Sequence, residues 1–258
     1  MDILEISQNR LTGPDPSFPY LDENRRFKFS WPQKSGSSII TWGGNLSPGM
    51  LLSAYEQGLF PWYSEGEPVL WHSPDPRFVI FGGKLHVSGS MKKILKQGHF
   101  RITFDTGFEK VIRGCAEIDR PGQGGTWITK DIISAYTELH NLGWAHSAEA
   151  WIPDEDFPAG GCYGIRLGNI FFGESMFSIK PNASKAAFLT LAQYLFDSGV
   201  TLIDCQVPTP HLESLGGEKI TRKEYLQILR KAMTARYRQN ADILDHRGKW
   251  HLPVPDSC

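Results

Sequence analysis

The sequence predicts an α+β fold in which the second half of the chain is built on a mixed β-sheet. Segments with helical spacing come first, followed by strands with a hairpin, a helix, a strand and a final helix. Of the 258 residues, 40% are hydrophobic and 21% are charged, which is an ordinary globular composition. We place a soft domain boundary between residues 80 and 105 and divide the chain into 1–85 and 86–258.

The first half is predicted to contain an irregular arm and several short elements. The first 40 residues are rich in Pro, Ser and aromatic residues and lack periodicity. Ser47 as the N-cap and Pro48 as the first helical residue predict a helix that ends near Gly58. The next predicted elements are turn-rich aromatic stretches at 60–63 and 70–77, a strand at 78–81, a short basic helix beginning at Ser88 or Ser90, and a helix beginning at Asp105.

The second half carries a strong hairpin signal. Gly168-Asn169 suits a two-residue turn between strands at 161–167 and 170–179. A glycine loop at 124–125 leads to Thr129, which can cap a helix ending at Gly143. The other predicted elements are a strand at 145–151, a helix capped by Ser184 and ended by Gly199, a strand at 200–207, and a basic helix behind a capping box of Thr221 and Glu224.

Common nucleotide, metal and hydrolase motifs are missing from the sequence. There is no G-x-x-x-x-G-K-[ST] loop, no G-x-G-x-x-G after a strand, no H-E-x-x-H and no G-x-S-x-G. We find no signal-peptide pattern and no apolar run near the roughly 20 residues that cross a bilayer. The four cysteines show no pair spacing, which favours reduced thiols. We therefore expect a cytoplasmic protein that needs no metal and no cofactor and does not bind membranes.

Charge is balanced over the whole chain but concentrated locally. The formal net charge is −1, whereas residues 77–104 contain no acid. A second basic stretch, 219–238, has seven Lys or Arg residues and a single acid, Glu224. These stretches either present a basic face to a polyanion or form solvated helix surfaces, and charge alone leaves both open. The basic residues of the first stretch are Arg77, Lys84, Lys92, Lys93, Lys96 and Arg101.

Two polar residues stand out within the apolar strand at 200–207. Strand periodicity puts Leu202, Asp204 and Gln206 on one face. A carboxylate in such a strand is costly unless it is paired or hydrogen-bonded. The pair could receive an ammonium group or polarise a hydroxyl. Alternatively, Asp204 pairs with a lysine or caps a loop, and Gln206 simply ends the strand.

The hairpin supplies a third polar residue, Glu174, within an apolar strand. If the strands close at Leu167 and Ile170, Tyr163 pairs with Glu174 and Ile165 pairs with Phe172. Strict alternation then puts Glu174 and Met176 on one face and Cys162 and Phe171 on the other. An apolar pocket with one acid could bind an apolar side chain beside an amino group. The alternative is an ordinary core with one satisfied glutamate.

Seven segments together make the sequence recognisable. The chain resembles the bacterial leucyl/phenylalanyl-tRNA–protein transferase family over roughly residues 40 to 230. The matching segments occur in the same order as in that family. The segments are Trp42-Gly43-Gly44-Asn45-Leu46-Ser47-Pro48, Gly58-Leu59-Phe60-Pro61-Trp62-Tyr63, Trp71-His72-Ser73-Pro74-Asp75-Pro76-Arg77, Gly125-Thr126-Trp127-Ile128-Thr129, Gly173-Glu174-Ser175-Met176-Phe177-Ser178, Asn182-Ala183-Ser184-Lys185 and Leu202-Ile203-Asp204-Cys205-Gln206.

The resemblance implies a fold, an activity and partners. The expected fold is a small N-terminal domain followed by a larger, acetyltransferase-like (GNAT-like) aminoacyl transfer domain. The expected activity is transfer of Leu or Phe, less often Met, from aminoacyl-tRNA to proteins with N-terminal Arg or Lys, which enter N-end rule degradation. No cofactor is implied, because the aminoacyl ester already carries the free energy. We expect the protein to act as a monomer.

The resemblance also implies roles for individual residues. Asp204 and Gln206 would be catalytic, with Gln206 accepting a hydrogen bond from the acceptor amine and Asp204 orienting Gln206 and stabilising the developing charge. Glu174 would hold the aminoacyl group. The apolar pocket would comprise Cys162, Phe171, Met176, Phe188, Leu191 and Ile203. Tyr55, Trp62 and Trp127 would contact the terminal adenosine. Local charge, and not the resemblance, makes Lys84, Lys92, Lys93, Lys96 and Arg101 the candidates for tRNA binding.

Two pocket positions depart from the family pattern. Cys162 stands where Met is usual and Phe188 where Leu is usual. The preference between Leu and Phe is therefore open, because a methylene-sized difference discriminates by only about 1–3 kcal/mol. Strict alternation along the strand puts Cys162 and Phe171 on the face away from Met176, whereas a shared pocket needs all three on one face. We therefore expect a bulge near Gly173.

Two other functions remain open at this point. One is a CoA-dependent N-acetyltransferase, which would need a backbone cradle for pyrophosphate, with residues 122–125 as the nearby candidate. The other is a tRNA-binding protein without catalysis, which would leave Glu174, Asp204 and Gln206 unexplained.

Overall fold

A computed structural model describes residues 13–31, 36–118 and 126–239 of the chain. These residues form seven helices and ten strands. The helices are α1 (Pro48–Glu56), α2 (Gly89–Lys96), α3 (Phe108–Glu117), α4 (Lys130–Asn141), α5 (Ala183–Asp197), α6 (Pro210–Ser214) and α7 (Arg222–Gln239). The strands are β1 (Ile39–Trp42), β2 (Phe60–Pro61), β3 (Leu70–His72), β4 (Arg77–Phe81), β5 (Arg101–Phe104), β6 (Ala145–Trp151), β7 (Gly160–Leu167), β8 (Ile170–Ser178), β9 (Leu202–Gln206) and β10 (Glu218–Ile220).

The strands form one small and one large sheet. The small sheet is antiparallel, with the strand order β1-β3-β2. The large sheet has seven strands in the order β10-β4-β9-β8-β7-β6-β5. Its neighbours are antiparallel except β8 and β9, which run parallel because helix α5 carries the chain back between them. The prediction of an α+β fold with a mixed sheet and a small N-terminal region is confirmed.

Two apolar cores lie on the two faces of the large sheet. Tyr136 of α4 and Tyr225 of α7 belong to one core, together with Phe172 of β8. Phe188 of α5 belongs to the other, together with Phe171 of β8. Adjacent residues of β8 thus point to opposite faces, as strand periodicity requires.

The predicted domain division at residue 85 remains a prediction. Strand β4 precedes that point, yet it pairs with β9 and β10 inside the large sheet. The likeness of the large sheet and its helices to acetyltransferases is likewise a prediction.

Three of the six predicted caps, Ser88, Thr129 and Thr221, are confirmed by their hydrogen bonds. The Oγ atoms of Ser88 and Thr129 accept hydrogen bonds from backbone N–H groups in the first turns of α2 and α4. Thr221 and Glu224 form the predicted capping box, since the Glu224 carboxylate accepts from Thr221 N at 2.9 Å and Thr221 Oγ1 accepts from Glu224 N at 3.2 Å. Helix α1 begins at Pro48, although the Ser47 side chain binds Leu21 N and not its own helix.

Two predicted helix starts are wrong. Asp105 lies in the left-handed region with φ 56°, and helix α3 begins only at Phe108. The Asp105 carboxylate accepts a hydrogen bond from Ser147 N at 2.8 Å and thereby joins the end of β5 to β6. Helix α5 begins at Ala183 behind Asn182, so Ser184 lies inside the first turn and donates its N–H to Ser178 Oγ at 3.1 Å.

Some predictions fall on residues outside the described ranges. The glycine-rich segment 122–125 is one of them, and so are the last 19 residues of the chain and the first 12 residues of the predicted arm. The described residues of the arm, 13–31 and 36–40, contain no helix; Gly13 forms an isolated bridge with Pro68, and β1 begins at Ile39.

Candidate functional site

Two β-bulges lie next to each other in the centre of the large sheet. On β8, Tyr163 of β7 pairs with Ser175 and Gly164 pairs with Gly173, so that Glu174 is the extra residue. On β9, the pairing with β4 also shifts, and Cys205 is the extra residue between Asp204 and Gln206. A bulge near Gly173 is therefore confirmed.

The pairing predicted for the hairpin is correct on one side of the bulge and wrong on the other. Ile165 pairs with Phe172 as expected. Tyr163 does not pair with Glu174, because the extra residue shifts the register by one from there to the end of β8.

The two bulges separate the parallel strands and open a cavity between them. The parallel pairing of β8 and β9 runs from Ile170 with Leu202 to Phe172 with Asp204. Beyond that pair, both strands bend out of regular register, and a cavity of about 380 Å³ lies at this point. Its walls are Phe60, Pro61, Trp62, Trp127, Cys162, Tyr163, Phe171, Gly173, Glu174, Ser175, Met176, Phe188, Cys205, Gln206, Val207, Thr209, His211 and Leu212.

The structure brings most of the predicted pocket together. Cys162, Phe171, Met176 and Phe188 line the cavity, and all four belong to or pack against one apolar core. Leu191 and Ile203 are fully buried members of the same core and pack behind the wall. The bulge explains how residues that strict alternation would separate reach one face.

Glu174 is held by two buried tyrosines. The Tyr55 hydroxyl donates to Glu174 Oε1 at 2.7 Å, and the Tyr136 hydroxyl donates to Oε2 at 3.1 Å. The two hydroxyls also contact each other. Two phenol protons cannot supply all three contacts, whereas a protonated Glu174 provides the third. Burial raises the pKa of Glu174 to about 7, although hydrogen bonds from both tyrosines oppose the rise.

Tyr55 and Tyr136 differ in how well the sequence predicted them. The contact of Tyr55 with the adenosine stays a prediction; in the structure Tyr55 is fully buried and donates to Glu174. Sequence analysis singles out no functional role for Tyr136. Its partner Glu174 lies 38 residues further along the chain, and no local pattern links them.

Asp204 lies in a fully buried ion pair. Arg77 Nε donates to Oδ1 at 2.8 Å, and Arg77 Nη2 donates to Oδ2 at 2.6 Å. The Tyr225 hydroxyl donates to Oδ2 at 2.7 Å, and Gln206 N donates to Oδ1 at 3.0 Å. Burial lowers the pKa of Arg77, but the adjacent Asp204 carboxylate outweighs burial and keeps the pKa above its ordinary value. The alternative considered from the sequence, that Asp204 forms an ion pair, is therefore observed, although the partner is an arginine and not a lysine.

Gln206 occupies a different position from Asp204. Its φ of 57° turns the chain at the end of β9, so Gln206 lines the cavity while Asp204 lies behind it. The two residues do not share a face as the sequence predicted, because the bulge and this turn break the alternation. Gln206 is 7% exposed, and its Nε2 has no hydrogen-bond partner. A buried donor without an acceptor is costly, so this N–H group is available to a hydrogen-bond acceptor of a substrate.

Aromatic residues line another part of the cavity wall. Trp62 is 40% exposed, and its ring lies 5.5 Å from that of His72, which itself stacks on Phe60 at 6.0 Å. Trp127 also lines the cavity. Two partly open indole rings form a surface suited to a planar ring system.

Helix α6 contributes residues that sequence reasoning missed. Thr209, His211 and Leu212 all line the cavity. Burial, with help from the nearby Lys185, lowers the pKa of His211 and favours the neutral ring. The only signal in the sequence is that these residues follow Gln206 closely.

The residues predicted to bind tRNA lie on exposed surfaces. Lys92, Lys93 and Lys96 are exposed on α2. Lys84 forms an ion pair with Glu218 at 2.8 Å, so its charge is partly compensated. The Arg101 guanidinium lies 5.8 Å from the Trp151 ring centroid.

Two other kinds of feature are absent from the described residues. Within residues 13–31, 36–118 and 126–239, no group of three or more His, Cys, Asp or Glu side chains could hold a metal ion. No helix in this part of the chain is long and apolar enough to cross a membrane.

Comparison with known proteins gives consistent matches over most of the chain. The family described as leucyl/phenylalanyl-tRNA protein transferase matches residues 79–230, and its N-terminal domain matches residues 44–75. The leucyl/phenylalanyl-tRNA–protein transferase of Myxococcus xanthus (strain DK1622) is 48% identical over 223 residues, or 86% of this chain and 91% of the relative. Its namesake in Anaeromyxobacter dehalogenans (strain 2CP-C) is 47% identical over 214 residues, or 83% of this chain and 88% of the relative.

An apolar cavity with a carboxyl and an amide in its wall suits the transfer of an aminoacyl group, and these matches assign the class: the protein is an aminoacyltransferase. Within that class, the chain belongs to the leucyl/phenylalanyl-tRNA–protein transferase family.

Proposed function

We propose that this enzyme transfers Leu or Phe, and less often Met, from aminoacyl-tRNA to proteins that begin with Arg or Lys. The products would enter N-end rule degradation in the cytoplasm. The observation that carries this proposal is the cavity itself, in which an apolar wall, Glu174, the unpaired amide of Gln206 and two indole rings meet.

The apolar wall suits the side chain of the transferred residue. Phe171 and Phe188 enclose it together with Met176, while Cys162 leaves more space than a longer side chain would. The α-ammonium of the aminoacyl group would lie beside Glu174. A positive charge there favours the ionised carboxylate, so binding would draw a proton off Glu174.

The terminal adenosine of the donor would lie against the indole rings. Trp62 and Trp127 line the same cavity as the apolar wall, so a base stacked there leaves its ribose ester close to Gln206. Stacking of one base on an aromatic side chain contributes roughly 1–3 kcal/mol and does not depend on sequence.

The reaction is aminolysis of an ester. The neutral α-amine of the acceptor, whose ordinary pKa is about 8, attacks the carbonyl carbon of the aminoacyl group. The new C–N bond forms, the C–O bond to the ribose breaks, and the proton lost by nitrogen passes to the departing ribose oxygen. Gln206 Oε1 would accept a hydrogen bond from an N–H of the amine and leave the amine's lone pair free to attack, while Nε2 would donate to a substrate oxygen. The amide thus contributes position and not basicity.

Asp204 would act through Gln206 and not on the substrate. The oxygens of its carboxylate already accept four hydrogen bonds, and Arg77 neutralises its charge. The bond from Gln206 N to Asp204 Oδ1 fixes the backbone turn that points Gln206 into the cavity. We therefore assign Asp204 a positioning role, which replaces stabilisation of the developing charge.

The test is transfer from labelled Phe-tRNA to a protein with N-terminal Arg, without ATP or CoA. Gln206→Ala should lose single-turnover transfer and still bind Phe-tRNA, whereas Gln193→Ala, an exposed glutamine on α5, should keep both. Full single-turnover transfer by Gln206→Ala would remove the assigned role. Acetyl transfer from CoA would favour the acetyltransferase alternative, and binding without transfer by the unaltered protein would favour a tRNA-binding protein.

A further inference from the structure

We propose that Trp42 forms a second base-stacking subsite, outside the cavity, for a nucleotide that precedes the terminal adenosine of the donor RNA. The inference rests on the proposed function, because it requires an RNA donor whose last base lies at Trp62.

The small sheet places Trp42 and Trp62 on one face. Trp42 pairs with Leu70 across β1 and β3, and Trp62 N donates to Leu70 O at 2.9 Å from the other side of β3. Residues directly opposite each other in a sheet share a face. Leu70 therefore lies between the two indole rings, and His72, two residues further along β3, lies on the same face and contacts Trp62.

The end of this face that carries Trp42, Leu70 and Trp62 is open to solvent, whereas His72 on the same face and the other face of the sheet are buried. Trp42 is 42% exposed and Trp62 is 40% exposed. Trp71, which points the opposite way between them, is 1% exposed and packs against Phe29. Exposed tryptophans on one sheet face are unusual without a partner, since large apolar surfaces are normally buried.

The backbone holds Trp42 in place before any ligand binds. Gly43 N donates to Val69 O at 2.8 Å, and Trp71 Nε1 donates to Gly43 O at 2.9 Å. Gly43 and Gly44 both have positive φ angles, 93° and 76°, so the chain turns sharply immediately after Trp42. The ring is thus presented from a fixed position, which reduces the entropy lost on binding.

The spacing fits a single-stranded RNA end. Trp42 and Trp62 lie two strands apart, or about 10 Å at about 4.8 Å per strand. The 3′ end of every tRNA is unpaired over the nucleotides before its terminal adenosine. If that adenosine lies at Trp62, the chain can continue across Leu70 to Trp42.

Stacked bases are the occupant that this surface favours. An exposed indole face accepts any base, because every base has a flat π-face. An acceptor polypeptide would have to be read by its cationic first residue, and the residues that define this face, Trp42, Leu70, Trp62 and His72, include no carboxylate. Continuity with the cavity through Trp62 links this face to the donor site.

The experiment compares donors of different length. Phe esterified to adenosine ends at the first subsite, whereas Phe on the trinucleotide CCA reaches the second. The variants are Trp42→Ala, Trp42→Phe and the control Ile179→Ala, which removes an exposed apolar side chain elsewhere. KM and kcat are measured for both donors with the same acceptor, and KM for the acceptor is measured with the trinucleotide donor.

Trp42→Ala should raise KM for the trinucleotide donor about 5- to 150-fold, the affinity that one stacked base contributes. KM and kcat for the adenosine donor should stay within twofold, Trp42→Phe should recover most of the trinucleotide affinity, and Ile179→Ala should change nothing. An unchanged KM for the trinucleotide donor, or an equal loss with both donors, would overturn the proposal. A rise confined to the acceptor KM would overturn it as well and assign the face to the polypeptide. Absence of transfer by the unaltered enzyme with both donors would instead refute the proposed function.

Discussion

Replacing Glu174 with Gln should change how the stability of the protein depends on pH. The side chain keeps its size, and its amide carries N–H donors where the carboxylate has none. Glu174, Tyr55 and Tyr136 form a closed cycle of hydrogen bonds. In this cycle, the introduced amide resembles the protonated form of the native glutamate. The variant therefore isolates the free energy of ionising this one group.

The magnitude follows from the raised pKa of Glu174. A rise from 4.5 to about 7 means that the folded protein holds a proton that the unfolded chain releases between these pH values. The free energy of unfolding of the native protein therefore falls as pH increases through this window. At 1.36 kcal/mol per pKa unit the total is about 3 kcal/mol, and it is an upper bound because Glu174 also faces the cavity.

The assay is urea unfolding of the native protein and the Glu174→Gln variant at pH 5, 6, 7 and 8. The two proteins should be similar near pH 5, and the variant should gain stability at higher pH, reaching up to about 3 kcal/mol over the native protein at pH 8. Gln193→Ala, which alters an exposed glutamine on α5, removes no titratable group and should leave the pH dependence of the native protein unchanged.

A constant difference between the native protein and Glu174→Gln across this pH range would refute the reasoning. It would mean that Glu174 keeps one protonation state from pH 5 to 8. The hydrogen-bonded cycle of Glu174, Tyr55 and Tyr136 would then hold a fixed number of protons. Binding of an α-ammonium group could not release a proton from Glu174.

Three further predictions follow from the buried pair, the cavity wall and the basic helix. Asp204→Asn leaves the Arg77 charge buried without a counter-ion and should lower the free energy of unfolding by about 3–5 kcal/mol in urea, whereas an unchanged value would mean that the charge is not truly desolvated. Phe188→Leu enlarges the cavity and should shift competition between Leu-tRNA and Phe-tRNA toward Phe by less than about 200-fold; a shift toward Leu would show that Phe188 does not limit the cavity. Replacing the three lysines of α2 with Gln should reduce the slope of log affinity for tRNA against log salt concentration by up to about 2 to 3, and an unchanged slope would place the phosphate contacts elsewhere.

The helices were predictable because their signals are local. Thr129 and Thr221 each lie within three residues of the groups they bind, so a short window of sequence contains the whole interaction. Strands such as β2, β3 and β10 have only two or three residues, too few for a period of two to be visible. Asp105 misled the prediction because its carboxylate binds a strand 42 residues away and not the helix that follows.

The site was predictable in its residues but not in their arrangement. The cost of burying Asp204 was evident from the sequence, but its partner Arg77 lies 127 residues earlier, and no pattern connects them. The bulge at Glu174 was expected only because a shared pocket conflicted with strict alternation. Nothing in the sequence conflicted with regular alternation at Cys205, so the second bulge was not predicted and Asp204 and Gln206 were assigned to one face. In the structure Gln206 lines the cavity and Asp204 does not.

Because Tyr225 lies near the C-terminal end of the described residues, the site can be completed only late in synthesis of the chain. The ribosome synthesises every residue of the cavity wall, from Phe60 to Leu212, before it reaches Tyr225. A nascent chain that stops at Thr221 holds all of these residues, yet one oxygen of Asp204 still lacks its phenol donor. Only after α7 has been translated and packed does Asp204 have all four of its hydrogen bonds, so a chain released at Thr221 would have the cavity wall without the bond from Tyr225 that helps to fix the strand carrying Gln206.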